Sequence, residues 1–224
     1  MTENVNALRD VLDDLMVDIR RMQIDATRSR DDVLGVSEQA TRARAKVAEL
    51  EAELARVSAA LREDALTGAL NRRGLDEAVE REASRAQRYH SPLSFAMMDL
   101  DNFKKLNDRL GHQAGDEALR HLVSVVRTML RPSDTIGRYG GEEFVLLLPE
   151  TPLADAKIVI ERLQRELTRQ FFLHNNEKVL ITFSAGVSRM HPGEAGALAL
   201  ARADEAMYRA KRKGRNRVML ADGD

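Results

Sequence analysis

Residues Thr135–Leu148 read TIGRYGGEEFVLLL. Two apolar segments flank the pair Gly140-Gly141. A glycine pair in that setting predicts a β-hairpin, with Thr135–Tyr139 and Glu142–Leu148 as its strands. Upstream, Asp116–Leu130 carries Leu119, Leu122, Val123, Val126 and Leu130 on one helical face. Before it, Leu93–Asp99 (LSFAMMD) is short and apolar, as a buried strand is, and a helix is expected from Asn71 to about His90. Downstream, Ala154–Phe171 is amphipathic, Val179–Ser188 is rich in β-branched residues, Leu198–Arg212 is a helix stopped by Gly214, and Arg217–Leu220 fits an edge strand. The order β-α-β-β-α-β is that of a ferredoxin-like α+β domain. Its first and third strands lie antiparallel in the middle of the sheet. Asp99 ends the first and Glu142 starts the third, so topology alone brings these two carboxylates to one sheet edge.

The chain has 224 residues, with 35 Lys and Arg against 36 Asp and Glu, a formal net charge of -1. That balance argues against a general nucleic-acid binder. Cysteine is absent, which excludes disulfides, thiolate zinc sites and thiol chemistry. No apolar run reaches the ~20 residues a membrane span needs, and the N-terminus lacks signal-peptide character. A soluble, cytoplasmic protein is expected.

Residues 1–63 follow a different pattern from residues 64–224. They contain no proline and one glycine, Gly35. Small or apolar residues recur in steps of three and four at Val5, Leu12, Ile19, Ala26, Val33, Ala40, Val47, Leu54 and Leu61, and at Leu8, Leu15, Met22, Ser29, Val36, Ala43, Leu50 and Val57. A sustained 3.5-residue period predicts a coiled-coil stalk of about 85 Å at ~1.5 Å per residue. Ala26, Ser29, Ala40 and Ala43 weaken its middle. Asp25 with Arg30, and Lys46 with Glu51, are placed to pair between parallel chains. The competing arrangement is a solvated helix folded back on its own domain. Val11, Met16, Val17 and Ile24 lie off the seam, where a regulatory protein can dock.

Asp99, Asp101, Glu142 and Glu143 form an acidic patch with no matching His or Cys. Oxygen-only donors suit magnesium, manganese or calcium. Magnesium takes few carboxylates and fills its shell with water and substrate phosphates, and a pair of such ions promotes phosphoryl transfer. Acids at a strand end are usually just solvated; here they coincide with a glycine turn and a following apolar strand. Asn107 and Asp116 offer the donor and acceptor groups a guanine edge needs, and Lys104 can serve as a phosphate cation. The five histidines (90, 112, 121, 174 and 191) show no metal spacing.

Arg138–Phe144 (RYGGEEF) resembles the signature of the GGDEF family, the diguanylate cyclases, in its GGEEF form. Three further segments are similar to family motifs, in order and at matching spacing: Asp64–Arg73 (DALTGALNRR), Asp99–Asp116 (DLDNFKKLNDRLGHQAGD) and Ala203–Asn216 (ADEAMYRAKRKGRN). The resemblance implies a fold related to nucleotide cyclases and polymerase palms, with two GTP condensed to cyclic di-GMP. It implies two magnesium or manganese ions per site, held by Asp99, Glu142 and the Leu100 carbonyl. Asn107 and Asp116 would bind guanine. Phe103, Lys104, Lys211 and Arg215 would hold the triphosphate beside the open Gly140-Gly141 turn, with Glu142 and Glu143 at the reacting edge. One domain binds one GTP, so the resemblance also implies a homodimer, which a parallel stalk would supply. Arg131–Asp134 (RPSD), five residues before Gly140, is similar to the family's inhibitory product site, with Arg162 as a second arginine. The competing reading is a non-catalytic module that binds GTP or cyclic di-GMP. The basic tail from Arg209 to Arg217 fits triphosphate better than nucleic acid, because no aromatic platform accompanies it.

Overall fold

The computed structural model describes residues 61–221 continuously, together with residues 16, 20–22, 42, 44–51 and 53. The chain divides into two units, residues 1–57 and 58–224. The described residues of the first unit are helical. Among them Met22, Val47 and Leu50 are exposed. Lys46 pairs with Glu49 on its own helix at 2.9 Å. The other seam positions up to residue 57, and the Asp25–Arg30 pair, lie outside the described residues. Among the described residues no helix is long and apolar enough to cross a membrane.

In the second unit the elements run α1 (Arg72–Tyr89), β1 (Leu93–Leu100), α2 (Phe103–Leu110), α3 (His112–Met129), β2 (Thr135–Gly140), β3 (Glu143–Pro149), α4 (Leu153–Arg169), β4 (Phe172–His174), β5 (Glu177–Val179), β6 (Phe183–Arg189), α5 (Gly196–Arg212) and β7 (Val218–Leu220). The main sheet has the order β2-β3-β1-β6-β7. β1 is antiparallel to both β3 and β6, and β7 joins β6 in parallel at the edge. The β-α-β-β-α-β expectation therefore holds, with β1 and β3 central.

Every residue of β1 is buried, which explains its unbroken apolar run. Ala96, Met98 and Leu100 join Phe144, Leu146 and Leu148 in the core under α3 and α4, whereas Phe95 and Met97 join Val145 and Leu147 in the core under α1 and α5. The alternation follows from side chains leaving a strand on opposite faces. α5 lies flush on β6: a Cβ at Gly186 would stand 2.0 Å from the Ala203 carbonyl and 2.2 Å from the Met207 nitrogen.

Three details differ from the sequence expectations. The hairpin turn sits one residue later, because a bulge between Arg138 and Gly140 pairs Gly140 with Glu143 and leaves Gly141 and Glu142 as the loop. Glu142 therefore precedes β3 rather than starting it, and Asp99 faces Glu143 in the ladder. Phe103–Leu110 forms its own helix, separated from α3 by Gly111. The stretch expected as one strand from Val179 is broken: Val179 closes a small β4-β5 hairpin, and β6 starts only at Phe183. That hairpin packs on α3, where the His174 ring lies 2.7 Å from Glu117 and Phe172 tilts against His121.

Candidate active site

The end of β1 and the β2-β3 turn meet at one rim of the sheet. The Leu100 N–H donates to the Glu142 carbonyl at 3.3 Å, which fixes the turn against the strand end. Asp99 is only 3% exposed. Its Oδ2 receives the Lys211 ammonium from the last turn of α5 at 2.6 Å. Burial raises the Asp99 carboxyl above its ordinary value of 3.8; Lys211 opposes the rise, and Glu143 and Asp101 add to it. Burial likewise raises Glu142 above 4.5, with the Asp99 charge next in effect, Lys211 opposing and Glu143 adding. Both carboxyls are thus held in a crowded negative field that a cation would relieve.

That field decides whether a divalent ion fits. Lys211 occupies the place of a cation on Asp99, and the donors around it are oxygens. Among the described residues no group of three or more His, Cys, Asp or Glu encloses a metal position. Two carboxylates and a backbone carbonyl suit magnesium, which completes its shell from water and phosphate. Asp99, Glu142 and the Leu100 carbonyl are the atoms that can hold it.

Gly140 and Gly141 are absent from the left-handed region of the backbone. Their value lies in bareness: a Cβ at Gly141 would meet nothing within 4 Å, and one at Gly140 would meet Glu143 Oε2 at 3.1 Å. A ligand can therefore approach the turn closely at Gly141, with the Glu143 carboxylate beside Gly140.

α2 and α3 build a second part of the site. Asn107 Oδ1 is buried and has no hydrogen-bond partner within the protein. An unpaired buried acceptor is costly, so such an atom signals a missing donor. Gly115 makes room for it, since a Cβ there would lie 2.0 Å from Asn107 Oδ1 and 3.1 Å from Phe103 Cζ. Asp116 follows on the same turn of α3 and is partly exposed. Lys104 and Arg215 are exposed, and Phe103 is half-buried.

A contact that the sequence reading left without a role holds the turn from behind. Arg138 donates from Nε and Nη2 to the Gly141 carbonyl at 3.0 and 2.6 Å, and from Nη1 to both Asp64 oxygens at 3.1 and 3.0 Å. Asp64 also accepts from the Thr67 N–H and hydroxyl at 2.9 and 2.7 Å. Burial pushes Asp64 up, but the Thr67 bonds and the Arg138 guanidinium more than offset it and leave it below 3.8.

The RPSD segment is a tight turn between α3 and β2. Arg131 N–H donates to Asp134 Oδ2 and Asp134 N–H donates to the Arg131 carbonyl, both at 3.0 Å. An open depression of about 590 Å³ is lined by Arg131 and Asp134 together with Arg81, Arg127 and Pro132. Arg162 reaches the Met129 carbonyl at 3.4 Å, two residues before the turn, and is not in that lining. Arg81 and Arg127 were not legible as neighbours of this motif because they sit on α1 and α3, far from it or unmarked in sequence.

The sheet topology and its acidic rim define a cyclase-like α+β domain. The diguanylate cyclase GGDEF domain family matches residues 61–217, and the chain belongs to that family. It is 44% identical over 158 residues to diguanylate cyclase DgcP of Pseudomonas aeruginosa, covering 70% of this chain and 24% of that protein. The chain thus spans about a quarter of that relative's length. It is similar to the structure of the coiled coil and GGDEF domain of DgcB from Caulobacter crescentus in complex with c-di-GMP, with a TM-score of 0.76, 30% identity and coverage of 83% of this chain and 98% of that one. It is also similar to diguanylate cyclase SiaD of Pseudomonas aeruginosa in complex with its activator SiaC, with a TM-score of 0.77, 32% identity and coverage of 97% and 84%.

Proposed function

We propose that this chain is a diguanylate cyclase, joining two GTP into cyclic di-GMP with release of two pyrophosphates. The observation that carries the reading is the buried Asp99 carboxylate, held beside Glu142 at the sheet rim and paired with Lys211. Divalent cations supply charge neutralisation of the triphosphate and acidify the attacking hydroxyl. Asp99, Glu142 and the Leu100 carbonyl would hold them. Asn107 and Asp116 take the guanine edge, which provides the donors that Asn107 Oδ1 lacks. Phe103, Lys104, Lys211 and Arg215 surround the triphosphate, and Lys211 can exchange Asp99 for phosphate oxygen. The 3′-hydroxyl of one GTP attacks the α-phosphorus of the other, and the bond to pyrophosphate breaks; the reciprocal attack closes the ring. Glu142, raised above an ordinary carboxyl, is the better placed proton acceptor, with Glu143 adding to the field.

Reciprocal attack needs two domains face to face. The N-terminal segment is proposed to pair two chains in parallel, in line with the exposed Met22, Val47 and Leu50 and with the coiled coil of DgcB. Such a tether gives an effective concentration of order millimolar. That SiaD is found in complex with an activator supports proposing a regulatory partner for this chain as well. Arg131, Asp134 and Arg162 are proposed to bind the product and stop productive docking.

Incubation of the chain with GTP and magnesium, followed by chromatography, should give cyclic di-GMP, and Asp99→Ala and Glu142→Ala should give none. GTP binding without product in the unmodified chain would favour the non-catalytic module instead.

A further inference from the structure

Asp101 lies two residues after Asp99, and its position in sequence groups it with the metal acids. Its partners say otherwise. Oδ1 accepts the Ser184 hydroxyl at 2.6 Å, and Oδ2 accepts the Thr182 hydroxyl and the Asn216 N–H, both at 2.9 Å. Its own N–H donates to the Thr182 carbonyl at 2.9 Å. Ser184 is fully buried, so this end of the network is anchored in the core.

The other end is unusual backbone. Gly214, Arg215 and Asn216 follow α5 with φ of 110°, 63° and 44°. A left-handed run that includes an arginine persists only where its surroundings impose it. The Arg215 N–H bonds to the Ala210 carbonyl at 3.1 Å and the Arg217 carbonyl accepts from Ala185 at 2.9 Å, so both flanks are tied by backbone. Two side chains bond the run itself: Arg217 Nε donates to the Arg215 carbonyl at 3.1 Å from the next position in the chain, and Asp101, far away in sequence, accepts the Asn216 N–H.

We infer that Asp101 is a positioning residue for the triphosphate: its carboxylate staples the Gly214–Asn216 run to β6 and so presents Arg215, and the last turn of α5 with Lys211, to the rim. A carboxylate has about four acceptor positions, and three are filled here by donors. This inference rests on the reading that Arg215 and Lys211 hold triphosphate.

The test uses Asp101→Asn in the full chain, with calorimetric titration of GTP and of GMP in magnesium. The amide keeps the shape but not the charge: its single oxygen takes either the Ser184 hydroxyl or the Asn216 N–H, so the charge-assisted bond to Asn216 is lost in one orientation and reduced to a neutral one in the other. GTP affinity should fall by up to the about 10- to 150-fold that one charge-assisted hydrogen bond represents, while GMP affinity stays within about twofold. Arg215→Ala should show a similar GTP-selective loss, and the double variant should lose little more than either single one. Additive losses, equal losses for GTP and GMP, or a shifted magnesium requirement would overturn the inference. Should Asp101→Asn fail to fold, Thr182→Val removes one arm of the same staple, with a smaller GTP-selective loss expected; a loss shared by GMP overturns it. A GTP loss in Arg215→Ala with none in Asp101→Asn overturns the inference alone, whereas no loss in either overturns the reading of Arg215 beneath it.

Discussion

A methyl group at position 115 would stand 2.0 Å from Asn107 Oδ1, 3.0 Å from its Cγ and 3.1 Å from Phe103 Cζ. The obstacle is the far end of a side chain, which can turn away; it is not backbone. Alanine gains up to ~1 kcal/mol over glycine in a helix, and overpacking costs ~1–3 kcal/mol before relaxation. With Asn107 displaced, the two nearly cancel, so Gly115→Ala should melt within about 4 °C of the unmodified chain. The guanine site does not escape. Asn107 Oδ1 leaves the place where its donor should arrive, and the loss of that buried pairing is worth ~1–3 kcal/mol. GTP affinity should therefore fall about 5- to 150-fold. Calorimetric titration with GTP, beside a thermal melt, reads both quantities. Unchanged GTP affinity would show that Asn107 is not the guanine acceptor, and a melting temperature lowered by more than ~10 °C would show that Asn107 is held for the fold.

Gly186→Ala should behave oppositely, because the Ala203 carbonyl and the Met207 nitrogen in its way are backbone; a stability loss of at least ~1–3 kcal/mol should appear in urea unfolding. Arg131→Ala should keep synthesis and weaken inhibition by added cyclic di-GMP, read from initial rates across product concentrations; wild-type sensitivity would remove that assignment. Asp64 has a lowered folded pKa, so its contribution is present above 3.8 and disappears as pH falls through the folded value. Asp64→Asn should therefore destabilise the domain at pH 7 and make little difference in strong acid. Asp99 is raised above 3.8, so protons compete with metal from a higher pH than for an ordinary carboxyl. The half-saturating magnesium concentration should climb as pH drops, and a flat profile would count against Asp99 as a ligand.

The sheet was legible because each strand carries a pattern its surroundings demand. β1 is buried on both faces and reads as continuous apolar sequence, and α3 shows one apolar face. The hairpin turn was placed one residue early because a bulge at Arg138 and Gly140 leaves no mark in composition. β4 and β5 are three residues each, too short for a period to show. At the site, Asp99 and Glu142 followed from topology. Asp101 did not: an acid beside a metal acid looks the same in sequence whether it faces a cation or three donors. The Asp64–Arg138 pair spans 74 positions, and only the fold brings it together.

Asp99 and Glu142 are proposed to gather divalent cations around a bound nucleotide. Manganese titration of the full chain, followed by electron paramagnetic resonance with a GTP analogue that cannot react, tests it most directly. Manganese should bind only together with the nucleotide, and its signal should be lost in Asp99→Ala and in Glu142→Ala while both variants remain folded. Manganese bound equally well by either variant would contradict it.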